Sequence, residues 1–343
     1  MIYWWKFIIV LTTSVLSLRL LRPLAIHLSL VDHPDTRKQH TGTIPLIGGL
    51  AMFLGFGVGI LLLTPTVNGL WTLLVAQLVL ICVGVFDDYH CLSANIKILA
   101  QIASALVMAL IGGLMLWNLG DLTGAGIAVD LGVWAVPFTV FAVVGAVNAV
   151  NMIDGLDGLA GVLTLITFTA MSILAFAAGF EEIGALLLVF PAIIIAFLLF
   201  NLGIFGRRRK VFMGDAGSMF LGFSVAWFSI LLAQDNVQAM SPSVALWVFA
   251  IPLFDTVTVM LRRIFKRQSP FKADRNHLHH ILQKAGLSYK QSLFTIATAA
   301  LVCATIGVFS QLYQTPERIL FSSFLGLFGL YFWFIGRLQK SLA

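Results

Sequence analysis

The stretch VWAVPFTVFAVVGAVNAV (133–150) runs straight into NMIDGLDG (151–158). No side chain from Val133 to Val150 is charged, and a helix of that length nearly crosses the ~30 Å hydrocarbon of a bilayer. Then the character reverses. Asn148, Asn151, Asp154 and Asp157 recur at every third position, with Gly155 and Gly158 among them. In an unbroken helix each three-residue step drifts by ~60°, so Asn148 and Asp157 would point in opposite directions. The two glycines predict a break that turns the chain back toward one pocket. A plain loop has no need of two amides and two carboxylates so regularly placed, so these residues, with Leu156 between them, are candidates for binding a ligand.

The rest of the 343-residue chain extends this reading. Hydrophobic residues make up 59% and charged residues 10%, against about 25% charged in an ordinary soluble domain. The mean hydropathy is +0.98. A soluble globule could not hide that much apolar surface, so a soluble enzyme, a nucleic-acid binder and a disordered chain are excluded. Eleven apolar stretches are long enough to be spans: 3–18, 46–63, 70–85, 98–116, 133–150, 159–178, 183–200, 218–233, 244–261, 293–312 and 319–335. The expected architecture is an all-α polytopic membrane protein with about eleven transmembrane helices. Residues 1–343 read as a single integral-membrane domain, with no long linker, fixed-period repeat or inverted similarity. The first span has no A-x-A cleavage site behind it and reads as retained. Gly120, Gly124, Gly126 and Gly132 suggest a small external hairpin. Cys82, Cys91 and Cys303 have no paired spacing and imply neither disulfide nor metal.

Charge orients the chain. Every Lys and Arg except Lys6 and Arg318 falls after an odd-numbered span. The positive-inside rule then puts the N-terminus outside and the C-terminus in the cytoplasm. All seven His lie on that same cytoplasmic side, as do Asp87, Asp88, Asp154, Asp157, Asp215, Asp255 and Asp274. Since the rule concerns neither His nor Asp, their placement independently locates the active site in the cytoplasmic loops.

Further residues there carry chemical potential. Asp87-Asp88 closes the third span, and adjacent carboxylates at a membrane edge repel unless a cation compensates them; a divalent metal with phosphate ligands would do so, and a polar helix end is the plainer reading. Residues 201–218, NLGIFGRRRKVFMGDAGS, combine Asn201, four cations, Phe212 and Asp215 among glycines at the start of a span. Glycines allow close backbone approach, and free N–H groups at a helix start suit phosphate; topology alone explains the cations. Arg275, His277, His279 and His280 lie in the longest internal loop and suit an anionic, hydroxyl-rich ligand, while zinc lacks both HExxH and a nearby Cys. Asp255 sits inside the ninth span, seven residues or roughly 10 Å from Arg262, where it could simply reach the rim. Cations at Arg37 and Lys38, before Gly48-Gly49, could border a phosphate site or serve topology only.

Five segments in order, HTGTIPLIGG, FDDYH, NAVNMIDGLDGLAG, FNLGIFGRRRKVFMGDAGS and Arg275-x-His277-x-His279-His280, resemble the polyprenyl-phosphate N-acetylhexosamine-1-phosphate transferases. The resemblance implies attack by a membrane polyprenyl phosphate on the β-phosphorus of a UDP-sugar, with UMP leaving. It implies magnesium as cofactor, with manganese a substitute. Asp215 would be the metal ligand, and Asp87 and Asp88 would sit at the reacting phosphates. Asn151, Asp154, Gly155, Leu156, Asp157 and Asn201 would border the nucleotide, joined by Asn148, and Phe212 would stack on uracil. The Arg275/His277/His279/His280 loop would close over diphosphate and sugar, and Lys38 would match a nucleotide-site lysine. Relatives often carry a third Asp where this chain has Cys91.

The histidine pattern resembles GlcNAc-type members, so the implied reaction is transfer of GlcNAc-1-phosphate from UDP-GlcNAc to undecaprenyl phosphate. This would begin a cell-envelope polysaccharide such as O-antigen, on the cytoplasmic face of a bacterial inner membrane. Another UDP-N-acetylhexosamine or the MurNAc-pentapeptide nucleotide is the alternative substrate, and an ion-coupled transporter is the alternative class. A transporter needs acids near mid-membrane, whereas here they cluster at one face. The partners expected are the two substrates and the lipid bilayer; a homodimer is left open.

Overall fold

The computed structural model describes residues 4–32, 42–234, 237–269 and 277–342. Among these residues thirteen α-helices follow in order: α1 Trp4–His27, α2 Gly48–Leu63, α3 Leu70–His90, α4 Ala94–Leu106, α5 Ala135–Ile153, α6 Leu159–Ala177, α7 Glu181–Asn201, α8 Gly214–Ala233, α9 Pro242–Val248, α10 Ala250–Phe265, α11 Leu278–Lys284, α12 Tyr289–Leu312 and α13 Glu317–Ser341. A two-residue antiparallel ladder, β1 Val31–Asp32 with β2 Ile44–Pro45, is the one sheet among the described residues. The architecture is that of a helical, polytopic membrane protein. Each of the eleven apolar stretches is largely helical. Among the described residues nine helices are long and apolar enough to cross a bilayer, and α9 with α10 makes a tenth if the pair is one span. Helix α2, of 16 residues, is shorter.

The expected continuous span over 244–261 is instead broken: α9 and α10 meet at 84°. The cause is local. Pro252 has no N–H and its ring clashes with the carbonyl four residues earlier, that of Val248. That carbonyl accepts a hydrogen bond from Thr167 Oγ1 on α6 at 2.9 Å, so the break leaves it satisfied.

Burial ranks the helices. In α8 94% of the span is buried and in α7 83%, against 17% in α1 and in α13. Helix α8 is thus the central column, and α1 and α13 present their surfaces outward. Phe190 of α7 anchors the centre, stacked on Phe168 at 4.0 Å and packed against Phe56 and Phe228. The first turn of α8 is clasped even more closely. A Cβ on Gly84 of α3 would lie 2.3 Å from Ala216 Cα, and one on Gly49 of α2 would lie 2.3 Å from Gly217 N. Small residues let backbones meet where no larger side chain would fit. They fix the start of α8 against the ends of α2 and α3.

Between residues 118 and 130 the chain doubles back, with Leu119 N–H donating to Val129 and Val129 N–H to Gly120. The glycine-rich stretch therefore forms the narrow hairpin its sequence suggests.

Candidate active site

Three helix ends converge. Helix α3 extends through Asp87 and Asp88 to His90, α5 stops at Ile153, and α8 starts at Gly214. The loop before α8 is held by backbone bonds to the segment before α2: Phe212 N–H donates to Pro45, Gly48 N–H to Phe212 and Gly49 N–H to Met213, at 2.9–3.1 Å. Gly214, at φ +70°, then turns the chain into the helix.

Asp88 caps that helix from outside. Its Oδ1 accepts the Asp215 N–H at 3.0 Å, placing a carboxylate where α8 has unpaired donors and a positive dipole end. Its Oδ2 is buried without a partner. Asp87, also buried, faces Lys97. The Lys97 ammonium donates to Asp87 Oδ2 at 2.9 Å and to Asp215 Oδ2 at 2.7 Å, welding α3, α4 and α8 together. Sequence reasoning missed Lys97, since a lone cation at a span edge reads as a topology signal. The available clue was a short turn, Cys91–Ser93, that folds α4 back along α3 and returns a cation to the acid pair.

The polar series after α5 is divided by the structure. Asn151 Nδ2 donates to Ser218 Oγ at 2.8 Å, and Ser218 Oγ donates to the Asp215 carbonyl, so Asn151 belongs to the cluster. Asn148 is directed elsewhere, to Gln101 Oε1 at 2.7 Å and the Val144 carbonyl. The predicted break occurs at 154–158, with Gly158 at φ +77°. Asp154 is an exposed residue of the turn, with protein packed around its carboxyl. That dehydration, with the charges of Asp215 and Asp157 nearby, pushes its carboxyl up to about 7. Leu156 is buried. Asp157 pairs with Lys210, its carbonyl accepts from Tyr289 Oη, and Lys210 lies 5.5 Å from the Phe212 ring centre. Asn201 is buried below this loop, donating to the Val211 carbonyl at 3.0 Å.

The histidines come from the start of α11, His277 at its N-cap and His279 and His280 in its first turn. A Cβ on Gly155 would lie 2.5 Å from His279 Nε2, so only glycine lets the 154–158 turn meet that ring. His279 is 1% exposed, and both ring nitrogens lack partners. Burial, with His280 and His277 beside it, holds its imidazole down to about 3, hence neutral. His280 packs 4.1 Å from His279, centre to centre. Lys38 and Arg275 lie outside the described residues.

The donor set suits magnesium. Asp87 and Asp215 offer hard oxygens side by side, and Asp88 Oδ2 is a buried oxygen lacking a partner. Magnesium takes one or two carboxylates plus substrate oxygens rather than a closed protein cage. Among the described residues no group of three or more His, Cys, Asp or Glu forms such a cage.

Acidic side chains thus gather around one lysine at the joined ends of helices apolar enough to cross a bilayer. Residues 70–233 match the family model described as glycosyl transferase family 4. The chain is 40% identical over 319 residues to the undecaprenyl-phosphate alpha-N-acetylglucosaminyl 1-phosphate transferase of Haemophilus influenzae, covering 93% of this chain and 90% of that one. It is 38% identical over 325 residues to the protein of the same name from Yersinia pestis (94% and 89% covered), and 37% identical over 328 residues to that from Escherichia coli K12 (95% and 89%). The chain belongs to glycosyl transferase family 4, among relatives matched along nearly its whole length.

Proposed function

We propose that this enzyme transfers N-acetylglucosamine-1-phosphate from UDP-GlcNAc to undecaprenyl phosphate, releasing UMP and leaving undecaprenyl-diphospho-GlcNAc. The carrying observation is Lys97 held between Asp87 and Asp215, in a chain whose relatives of that activity align over nine-tenths of its length. The chain crosses a bacterial inner membrane eleven times, counting α2 and the bent α9–α10 pair, with its N-terminus outside and its C-terminus and site in the cytoplasm. The distribution of Lys and Arg supports this orientation. UDP-GlcNAc is a soluble anion supplied from that side.

The lipid phosphate needs little activation. A phosphate monoester has its second pKa near ~6, so at pH 7 it is mostly a dianion. One of its oxygens forms a bond to the β-phosphorus as the bond from that phosphorus to the UMP oxygen breaks. The chain's task is to position two anions and offset their repulsion. Asp215, beside Asp87, would hold magnesium, which when bound neutralises diphosphate charge and polarises a phosphoryl oxygen. Manganese, of like ligand preference, would be held by the same carboxylates. Lys97 keeps the two carboxylates at a fixed spacing. Asp88 fixes the start of α8 and hence Asp215. Asn151, Asp154, Gly155 and Asp157 border the nucleotide, and Phe212, beneath Lys210, offers a face to uracil. His277, His279 and His280, with Arg275, close over the diphosphate and sugar, and Lys38 reaches the nucleotide. Asn201, whose buried Oδ1 has no protein partner, joins this set, with Leu156 buried in the turn and Asn148 bonded to Gln101 beside it.

Purified enzyme given undecaprenyl phosphate, magnesium and a choice of UDP-GlcNAc, UDP-GalNAc or the MurNAc-pentapeptide nucleotide tests the substrate. UMP release with UDP-GlcNAc foremost is expected. Release only with another nucleotide overturns the sugar assignment, and uptake into proteoliposomes without a lipid product overturns the reaction.

A further inference from the structure

Asp255 is 2% exposed, midway along α10, where a carboxylate is costly unless fully paired. It is paired across three elements. Its Oδ2 lies 2.8 Å from His277 Nδ1, and its Oδ1 accepts the Leu278 N–H at 2.8 Å. Tyr331 Oη of α13 stands 3.4 Å from the same Oδ1. His277 is itself 5% exposed, and its ring lies parallel to that of His279, 6.1 Å away. His279 in turn packs against Gly155 of the nucleotide-side turn. The bend between α9 and α10 sets the direction of α10 and so the place of this carboxylate.

We propose that Asp255 is a positioning residue for the reaction: it holds His277 with the proton on Nδ1, leaves Nε2 as the acceptor, and thereby registers the histidine row against the Asp154–Gly158 turn. This rests on the proposed role of the histidines. A carboxylate accepts only, so the Nδ1 of a neutral His277 ring must donate, which fixes the tautomer. The second oxygen fixes the α11 backbone at the next residue. Ring tautomer and helix start are thus set by one side chain. An amide at 255 could still accept from Leu278 but would present its NH2 group to His277, reversing the demand on Nδ1.

The test is a double-mutant cycle on the full-length enzyme, read by kcat/KM for UDP-GlcNAc and by thermal midpoint. His277→Ala and Asp255→Asn are each expected to lose about 10- to 100-fold, the worth of one charged hydrogen bond. The double variant should be no worse than His277→Ala, within about twofold, because Asp255 acts only through His277. Multiplying losses, or a fully active Asp255→Asn, overturn the inference. A harmless His277→Ala overturns it too and removes the histidines from the proposed site, while UMP release by the parent enzyme judges the reaction separately. Should Asp255→Asn fail to fold, 15N-histidine spectra of the parent enzyme still decide. A proton on Nδ1 of His277, assigned by its loss in His277→Ala, is expected; a neutral ring protonated on Nε2 contradicts the inference.

Discussion

Lys97 and Asp215, 118 positions apart, meet at 2.7 Å. The same ammonium reaches Asp87, ten positions back, at 2.9 Å. One cation thus holds two acids that would otherwise repel each other at the edge of the bundle.

Replacing it should matter more for activity than for folding. The ion pairs are partly solvent-exposed, where such contacts stabilise by ~1 kcal/mol or less. Lys97→Met should therefore fold with a modestly lowered midpoint, yet lose about 100-fold or more in UMP release, as when a positioned charge is removed from a reacting centre. Undiminished turnover in that variant would separate Lys97 from the chemistry.

Asp88 has a structural task that two substitutions can isolate. Asn can still accept the Asp215 N–H through its Oδ1, whereas Ala cannot. Asp88→Ala should cost about 1 kcal/mol of stability more than Asp88→Asn, the usual worth of a helix cap. Chemical denaturation in detergent would measure the difference, and equal stabilities would contradict the capping role.

Gly84, like Gly49, constrains the start of α8 sterically. A Cβ there would stand 2.3 Å from the Ala216 backbone. Gly84→Ala should destabilise by about 1–3 kcal/mol and shift Asp215 enough to depress turnover. A variant of parental midpoint and rate would show that α3 and α8 can part without consequence.

Asp154 makes stability depend on pH. Its carboxyl titrates near 7 in the folded chain against an ordinary 3.8. Between those values the folded chain holds a proton that the unfolded chain has released. Stability contributed at low pH is therefore lost as pH rises through about 4 to 7. Asp154→Asn removes this dependence, so its thermal midpoint should fall less than the parent's between pH 5 and 7. Parallel curves would contradict the assignment.

Much of this site was legible because polar residues at the ends of apolar spans have few plain explanations. Asp87, Asp88, Asn151, Asp154, Asp157 and Asp215 stood out in that way, and the structure joins them. Asn148 carried the same signal but turns its amide NH2 to Gln101, whereas Asn201 donates to Val211 and keeps a buried Oδ1 without a partner. Lys97 was hidden because a cation at a span edge already satisfies the positive-inside rule. The bend at Phe249 was hidden because a proline within an apolar span does not by itself say how sharply the helix turns, and its tolerance depends on Thr167, 81 positions away from Val248. The partner of Asp255 was out of reach for the same reason: sequence shows a carboxylate in a span, and only folding brings α11 to it.

The most direct test of the central claim follows the phosphorus atom. UDP-GlcNAc labelled with 32P in the β-phosphate is incubated with the enzyme, magnesium and undecaprenyl phosphate, and lipid and aqueous phases are separated. The account predicts label in the lipid diphosphate and unlabelled UMP in water. Label retained in soluble UDP, with sugar alone passing to the lipid, would contradict it.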